Sequence, residues 1–191
     1  MIGDEKSEAA KKAEATQAAR AGIWLGIAAI VMAFAALTSA IIVRQGSDPD
    51  WQHVQLPGMV YFNTVVILLS SLTLEMARRK PGEAPESGLR WLQATLSLGM
   101  LFVLGQAFAW WQLAGRGVFL ASNPSSSFFY VLTGIHGLHL VGGIVALAYV
   151  VARLAGKARV VSGSLFEAVT IYWHFMGGLW VYLLIVIRTR L

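Results

Sequence analysis

The chain has 191 residues, of which 57% are hydrophobic and only 13% charged, about half the roughly 25% charged residues of an ordinary soluble domain. Together with a mean hydropathy of +0.63, this excludes a water-soluble globule and a disordered tail protein. The absence of cysteine excludes disulfide scaffolds, thiolate metal sites, iron–sulfur clusters and cysteine nucleophiles. The net charge of +5 reads as basic loops on one side of a membrane rather than as a nucleic-acid surface.

Residues 1–20, MIGDEKSEAAKKAEATQAAR, are rich in Ala, Lys and Glu and carry no apolar core of a cleavable signal. They are expected to form a solvated cytoplasmic tail or a short interfacial helix. Residues 21–191 carry five apolar segments: about Gly22 to Val43, Leu56 to Ala77, Trp91 to Leu113, Ser127 to Ala152, and Leu165 to Ile187. Each is long enough to cross about 30 Å at about 1.5 Å per residue. The predicted fold class is therefore all-α, a polytopic membrane protein with a bundle of five transmembrane helices. Connections are short, and no internal repeat suggests an inverted-repeat transporter.

Loop charge sets the expected orientation. With the N-terminus in the cytoplasm, the inner side carries Lys6, Lys11, Lys12, Arg20, Arg78, Arg79, Lys80, Arg90, Arg153, Lys157 and Arg159, and the outer side only Arg44, Arg116, Arg188 and Arg190. An odd number of spans then puts the C-terminus outside. The first segment spaces Gly22 and Gly26, Ala29 and Ala33, and Ala36 and Ala40 as small-xxx-small pairs, which lets another helix approach closely. Gly134, Gly137, Gly142 and Gly143 do the same in the fourth. Trp24, Trp51, Trp91, Trp110, Trp111 and Trp173 read mostly as interfacial aromatics near segment ends.

Ionisable groups inside the bilayer are the first functional candidates, because hydrocarbon penalises them unless they are partnered. Here they are His136 and His139 in the fourth segment, Glu167 and His174 in the fifth, and Glu75 near the end of the second. A haem held by two imidazoles needs them on opposite sides of the ring. His136 and His139 share one helix face, which leaves a His139–His174 pair and the alternative of a haem-b membrane anchor. Hydrogen bonding to neighbouring helices is the simpler reading. A zinc or two-metal hydrolase wants more ligands than two imidazoles. Glu167 lies near the membrane surface, where a lipid ammonium or a loop Arg would neutralise it, so it is expected to anchor a phospholipid headgroup or a partner subunit. Glu75 pairs with Arg78 and Arg79 at i,i+3 and i,i+4. His53, in the loop PDWQHVQLPG, is expected to be exposed and silent. A small transporter or channel would need a continuous polar pathway that these segments lack. What remains is a sparse set of structural polar groups without a catalytic constellation, which points to a subunit supporting another chain's chemistry.

Two motifs sharpen this. FFYVLTGIHGLHLVGG (Phe128 to Gly143) resembles the T-G-x-H-G-x-H signature of subunit III of the haem–copper cytochrome c and quinol oxidases, and FEAVTIYWHFMGGLWVYLL (Phe166 to Leu184) is similar to that family's E-A-x-x-x-Y-W-H-F stretch. LPGMVYFNTVVILLSSLTLEMARR, GIWLGIAAIVMAFAALTSAIIVRQ and LQATLSLGMLFVLGQAFAW resemble its other core helices, so the likeness runs over about residues 20–190 and suggests a divergent, short five-helix form. The resemblance implies an accessory, non-catalytic subunit of a proton-pumping terminal oxidase in the bacterial cytoplasmic membrane. It packs against the catalytic subunit and other oxidase subunits, binds phospholipid and supports proton uptake. Haem and copper would reside in the catalytic subunit, with no cofactor, metal or nucleic acid bound by this chain. His136, His139, Glu167, Trp173 and His174 match the family pattern and are expected to serve lipid or subunit contact. Three carboxylates usual in the family are replaced, by Ile30 in the first segment, by Ala109 after Gln106 in the third, and by Gly177 after Trp173-His174-Phe175 in the fifth. The replacements leave open a quinol oxidase or a nitric oxide reductase as the parent complex.

Overall fold

A computed structural model describes residues 2–47, 49, 51–79, 85–156 and 162–191. It contains five helices: α1 (Ile2–Ser47), α2 (Gly58–Arg79), α3 (Pro85–Gly115), α4 (Pro124–Ala155) and α5 (Gly163–Arg190). All five contain a stretch long and apolar enough to cross a membrane, namely Arg20–Ser47, Gly58–Arg79, Gly88–Gly115, Pro124–Ala155 and Gly163–Arg190. The expected segments all lie inside these helices save for Leu56 and Pro57, which precede α2. The observed ends run further because polar residues extend a helix beyond the hydrocarbon at little cost. α1 continues without a break through residues 2–20, so the backbone there is one helix with the first span.

Packing is unequal. Among the described residues α2 lies most extensively against α3, α5 touches α1, α2 and α4, and α1 meets only α4 and α5. α1 turns Ile27, Ile30, Phe34 and Ile41 inward at spacings of three, four and seven. Its small residues Gly22, Gly26, Ala29, Ala33, Ala36 and Ala40 form a separate stripe that is exposed, so the stripe expected to seat a neighbouring helix does not seat one within this bundle. In α4, Gly134 and Gly143 face neighbours, Trp110 and Tyr172 respectively, while Gly137 and Gly142 have open space beside them.

The centre is aromatic. Trp173, Trp180, Phe34, Phe102 and Phe129 are fully buried, and Phe102 meets Trp180 edge-on, with ring centroids 4.9 Å apart and planes at 89°, a geometry favoured by the ring quadrupoles. Trp173 is thus a core residue and not an interfacial one. It sits on the α5 stripe that also carries Thr170, Met176 and Trp180, one helical face repeating every three to four residues.

The ends are tied by the connections. Asn123 caps α4 by accepting from the Ser126 backbone N–H, and the Ser126 hydroxyl accepts from the Asn123 N–H in return, with Pro124 opening the helix. Gly117, at φ +78°, turns the chain after α3. The α1–α2 connection is pinned to the end of α5 and the start of α4. The Trp51 indole donates to the Arg190 carbonyl at 3.0 Å, the Val54 N–H donates to the Leu191 carbonyl, and the Ser125 hydroxyl donates to the Gln52 carbonyl. His53 on this connection is exposed, as expected.

Candidate functional site

The polar groups of the spans are spent mainly on holding helices together. The Trp173 indole N–H donates to Ser70 Oγ at 2.9 Å and the Trp180 N–H to Thr64 Oγ1 at 3.0 Å, two bonds from α5 to α2. Trp110 donates to Thr133 Oγ1 at 3.2 Å across α3 and α4. Tyr172 donates to the His139 carbonyl at 2.9 Å, and Tyr182 donates to Thr38 Oγ1 at 2.9 Å. Between α2 and α3, Asn63 Nδ2 donates to Gln106 Oε1 at 2.9 Å, and the hydroxyls of Thr73 and Thr95 lie 2.8 Å apart. Such bonds are individually modest, averaging about 0.6 kcal/mol between transmembrane helices, but each fixes the rotation of one helix against another.

The five residues of the motifs do not form one cluster. Trp173 is 0% exposed and His136 1% exposed. His136 stacks at a tilt on Trp180, centroids 5.3 Å apart, and meets Phe102 at 6.2 Å. Both are buried within this bundle, because their register on α4 and α5 points them inward. His139 is half-buried. Its Nδ1 bonds to the Ile135 carbonyl at 2.8 Å, and its ring meets Phe34 of α1. His174 is exposed, with Glu75 and Arg78 of α2 as its charged neighbours. One imidazole therefore faces α1 and the other the α2 side, so the pair does not converge on a single iron position.

Glu167 meets Arg20, whose Nη2 donates to both carboxylate oxygens at 2.9 and 3.2 Å. The cation comes from α1, beside the membrane entry, so a basic residue of the protein supplies the partner expected from a lipid or a loop. The side chains are 58% and 45% exposed. Exchanging either for Ala should lower the unfolding free energy of the solubilised chain by under about 1 kcal/mol, and a double-mutant cycle should give about 0.2–1 kcal/mol that shrinks in high salt. A coupling of several kcal/mol in thermal or denaturant unfolding would show that the pair is desolvated and not surface-like. Glu75 accepts from Arg78 Nε at 2.9 Å and Arg79 Nε at 2.7 Å, the predicted i,i+3 and i,i+4 arrangement.

Ile30, Ala109 and Gly177, the three positions where the resemblance led to an expectation of carboxylates, are all interior. Ile30 is 9% exposed and Ala109 is 0% exposed. Gly177 lets α5 close on α2, since a Cβ there would stand 3.1 Å from Ser71 Oγ. Among the described residues no group of three or more His, Asp or Glu side chains could hold a metal ion. Motif reading passed over Trp180, Tyr172, Tyr182, Thr64 and Ser70 as an interlock. The signal was present in part, because Trp180 follows Trp173 by seven residues and so shares its face.

The model of the family described as "Cytochrome c oxidase subunit III" matches residues 4–189. The chain is 36% identical over 126 residues to the probable cytochrome c oxidase subunit 3 of Mycobacterium leprae, covering 65% of this chain and 62% of that protein. It is 28% identical over 176 residues to cytochrome c oxidase subunit 3 of Synechocystis, covering 87% and 73%. It is 26% identical over 171 residues to the cytochrome bo(3) ubiquinol oxidase subunit 3 of Pseudomonas putida, covering 84% and 80%. The matched stretch spans about three-fifths of the mycobacterial relative. With a family match over residues 4–189 and five helices long and apolar enough to span a membrane, this multi-pass membrane protein belongs to the cytochrome c oxidase subunit III family.

Proposed function

We propose that the chain is an accessory, non-catalytic subunit of a proton-pumping haem–copper terminal oxidase in a bacterial cytoplasmic membrane. Haem and copper sit on a neighbouring catalytic subunit, where electrons from cytochrome c or quinol reduce oxygen to water. This chain packs against that subunit, holds phospholipid and supports proton entry. The observation that carries the reading is the use of the interior polar side chains. Ser70, Thr64 and Thr133 receive donors from Trp173, Trp180 and Trp110, the arrangement of a scaffold. The outward-facing motif residues Glu167 and His174, with part of His139, are the ones we assign to lipid or subunit contact. The basic excess on one set of loops supports an N-terminus in the cytoplasm and a C-terminus outside, with residues 1–20 as a cytoplasmic extension of the five-helix domain. The similarity to a ubiquinol oxidase subunit keeps quinol as an alternative donor.

The test is capture of a tagged copy from native membranes in mild detergent, with identification of the copurifying chains and an optical spectrum of the same sample. A stoichiometric haem–copper subunit is the expected result. Recovery of the chain alone, or with a haem of its own, would overturn the reading. In the same preparation His174→Leu should lower retention of the chain or the phospholipid content while leaving the haem spectrum intact; a bleached spectrum would contradict the accessory role.

A further inference from the structure

Between α3 and α4 lies a crevice of about 190 Å³, set apart from the interlock around Trp173. Its floor is Gly134 and Gly137, two consecutive positions without side chains on one face of α4, and its walls include Phe102 and Trp110. It opens outward beside Ala107 and Val141, both exposed. A Cβ built on Gly137 would meet nothing within 4 Å, and one on Gly134 would only touch the Trp110 ring at 3.5 Å. The space is therefore flat and open on the glycine side.

Two residues that line this largely apolar crevice carry buried polar atoms without a hydrogen-bond partner among the described residues, whereas its third polar residue, Thr133, is bonded to Trp110. The unpartnered atoms are Gln106 Nε2 and both ring nitrogens of His136, and the two residues are only 7% and 1% exposed. Gln106 Oε1 is already taken by Asn63, so its amide nitrogen is free to donate. A neutral imidazole offers one donor and one acceptor. Leaving such groups unpaired in a buried place is costly, and an oxygen-bearing occupant would recover that cost. The two groups lie about 14 Å and 18 Å along their helices from the α3–α4 connection, too deep and too apolar in surroundings for a charged headgroup. A water molecule would satisfy the polar atoms but leave the flat apolar space beside the glycines unfilled.

We propose that this crevice binds an uncharged, ring-bearing membrane lipid whose hydroxyl or carbonyl oxygen meets Gln106 and His136 and whose flat ring lies on Gly134 and Gly137 between the aromatic walls. Prenylated quinones or quinols and polycyclic terpenoid alcohols share this chemistry. The ligand is bound and not transformed, and the assignment does not depend on which parent complex is captured.

The experiment uses the whole complex, or the chain as purified, in nanodiscs of a single phosphatidylcholine. A diazirine-bearing ubiquinone analogue is the probe in one arm and a diazirine-bearing sterol in the other, each competed by its unlabelled parent, and labelled peptides are identified by mass spectrometry. Specific labelling of the α3 and α4 peptides around Val103–Ala107 and Gly137–Val141 in either arm is the expected result, and the arm that labels names the source. Gly137→Leu, whose Cβ meets nothing within 4 Å and whose side chain extends into the crevice, should reduce that labelling at least tenfold. His136→Phe keeps a ring on Trp180 but removes the hydrogen bond, and should reduce it severalfold even if the leucine variant fails to fold. Absence of competed labelling in both arms, or labelling unchanged in His136→Phe, would overturn the proposal.

Discussion

Trp173→Ala should be the most damaging single truncation in the bundle, lowering its stability by about 3 kcal/mol, the low end of the Trp→Ala range in protein cores. The low end applies because unfolding within a bilayer or micelle leaves the ring in an apolar medium, so packing rather than transfer from water is what is lost. The indole is completely buried, lies close enough to Gly99 that a Cβ there would come within 2.6 Å of its ring, and ties α5 to α2 through Ser70. Trp173→Phe keeps most of the contacts and loses the bond, so it should cost about 1 kcal/mol. Ser70 is not orphaned in either variant, since its hydroxyl also donates to the Ile67 carbonyl. Thermal unfolding of the purified chain in one detergent, read by tryptophan-independent far-UV circular dichroism, separates the variants. A Trp173→Ala chain as stable as the exposed neighbour variant His174→Leu would refute the interlock.

Gly105→Ala should destabilise the α2–α3 pair by about 1–3 kcal/mol, although the same exchange in an unconstrained helix interior favours Ala by about 0.5–1 kcal/mol. The sign reverses because a Cβ on Gly105 would fall 2.1 Å from Asn63 Oδ1 and 2.9 Å from Met59 Cε. To make room, Asn63 must leave Gln106 or the two helices must part, and their contact is the most extensive in the fold. Gly142→Ala is the matched control. It sits in α4 with nothing within 4 Å of the new methyl, so it should be neutral or slightly stabilising. Equal midpoints for the two variants would show that α2 and α3 are not held as close as the structure has them.

These two predictions rest on different kinds of information. The existence, number and order of the spans follow from composition and length, because a bilayer leaves a chain of this hydropathy few alternatives to spanning helices. The Glu75 pairing with Arg78 and Arg79 is equally local, since three or four residues of helix bring them together. The family motifs around His136–His139 and Glu167–His174 were legible as strings of residues. Their division into interior and exterior was not. Trp173 and His174 are adjacent in the sequence, yet one is fully buried and the other exposed, and no period in a helix that is apolar all round marks the difference. The same holds for α1, whose small residues and whose Ile27, Ile30, Phe34 and Ile41 each form a helical stripe. Composition cannot say which stripe meets the bundle when lipid is as apolar as the neighbouring helix.

The sequence by itself thus determined a five-span membrane protein with subunit III motifs and its short-range ion pairs. Tertiary structure alone decided which indole meets which hydroxyl, that Arg20 reaches Glu167 across 147 positions, that His139 and His174 face different neighbours, and that Gln106 and His136 end beside a glycine floor. The physical reason is that secondary structure here is dictated by the solvent, one residue at a time. Helix rotation is dictated by contacts between residues far apart in the chain, and those are settled only when all five helices pack.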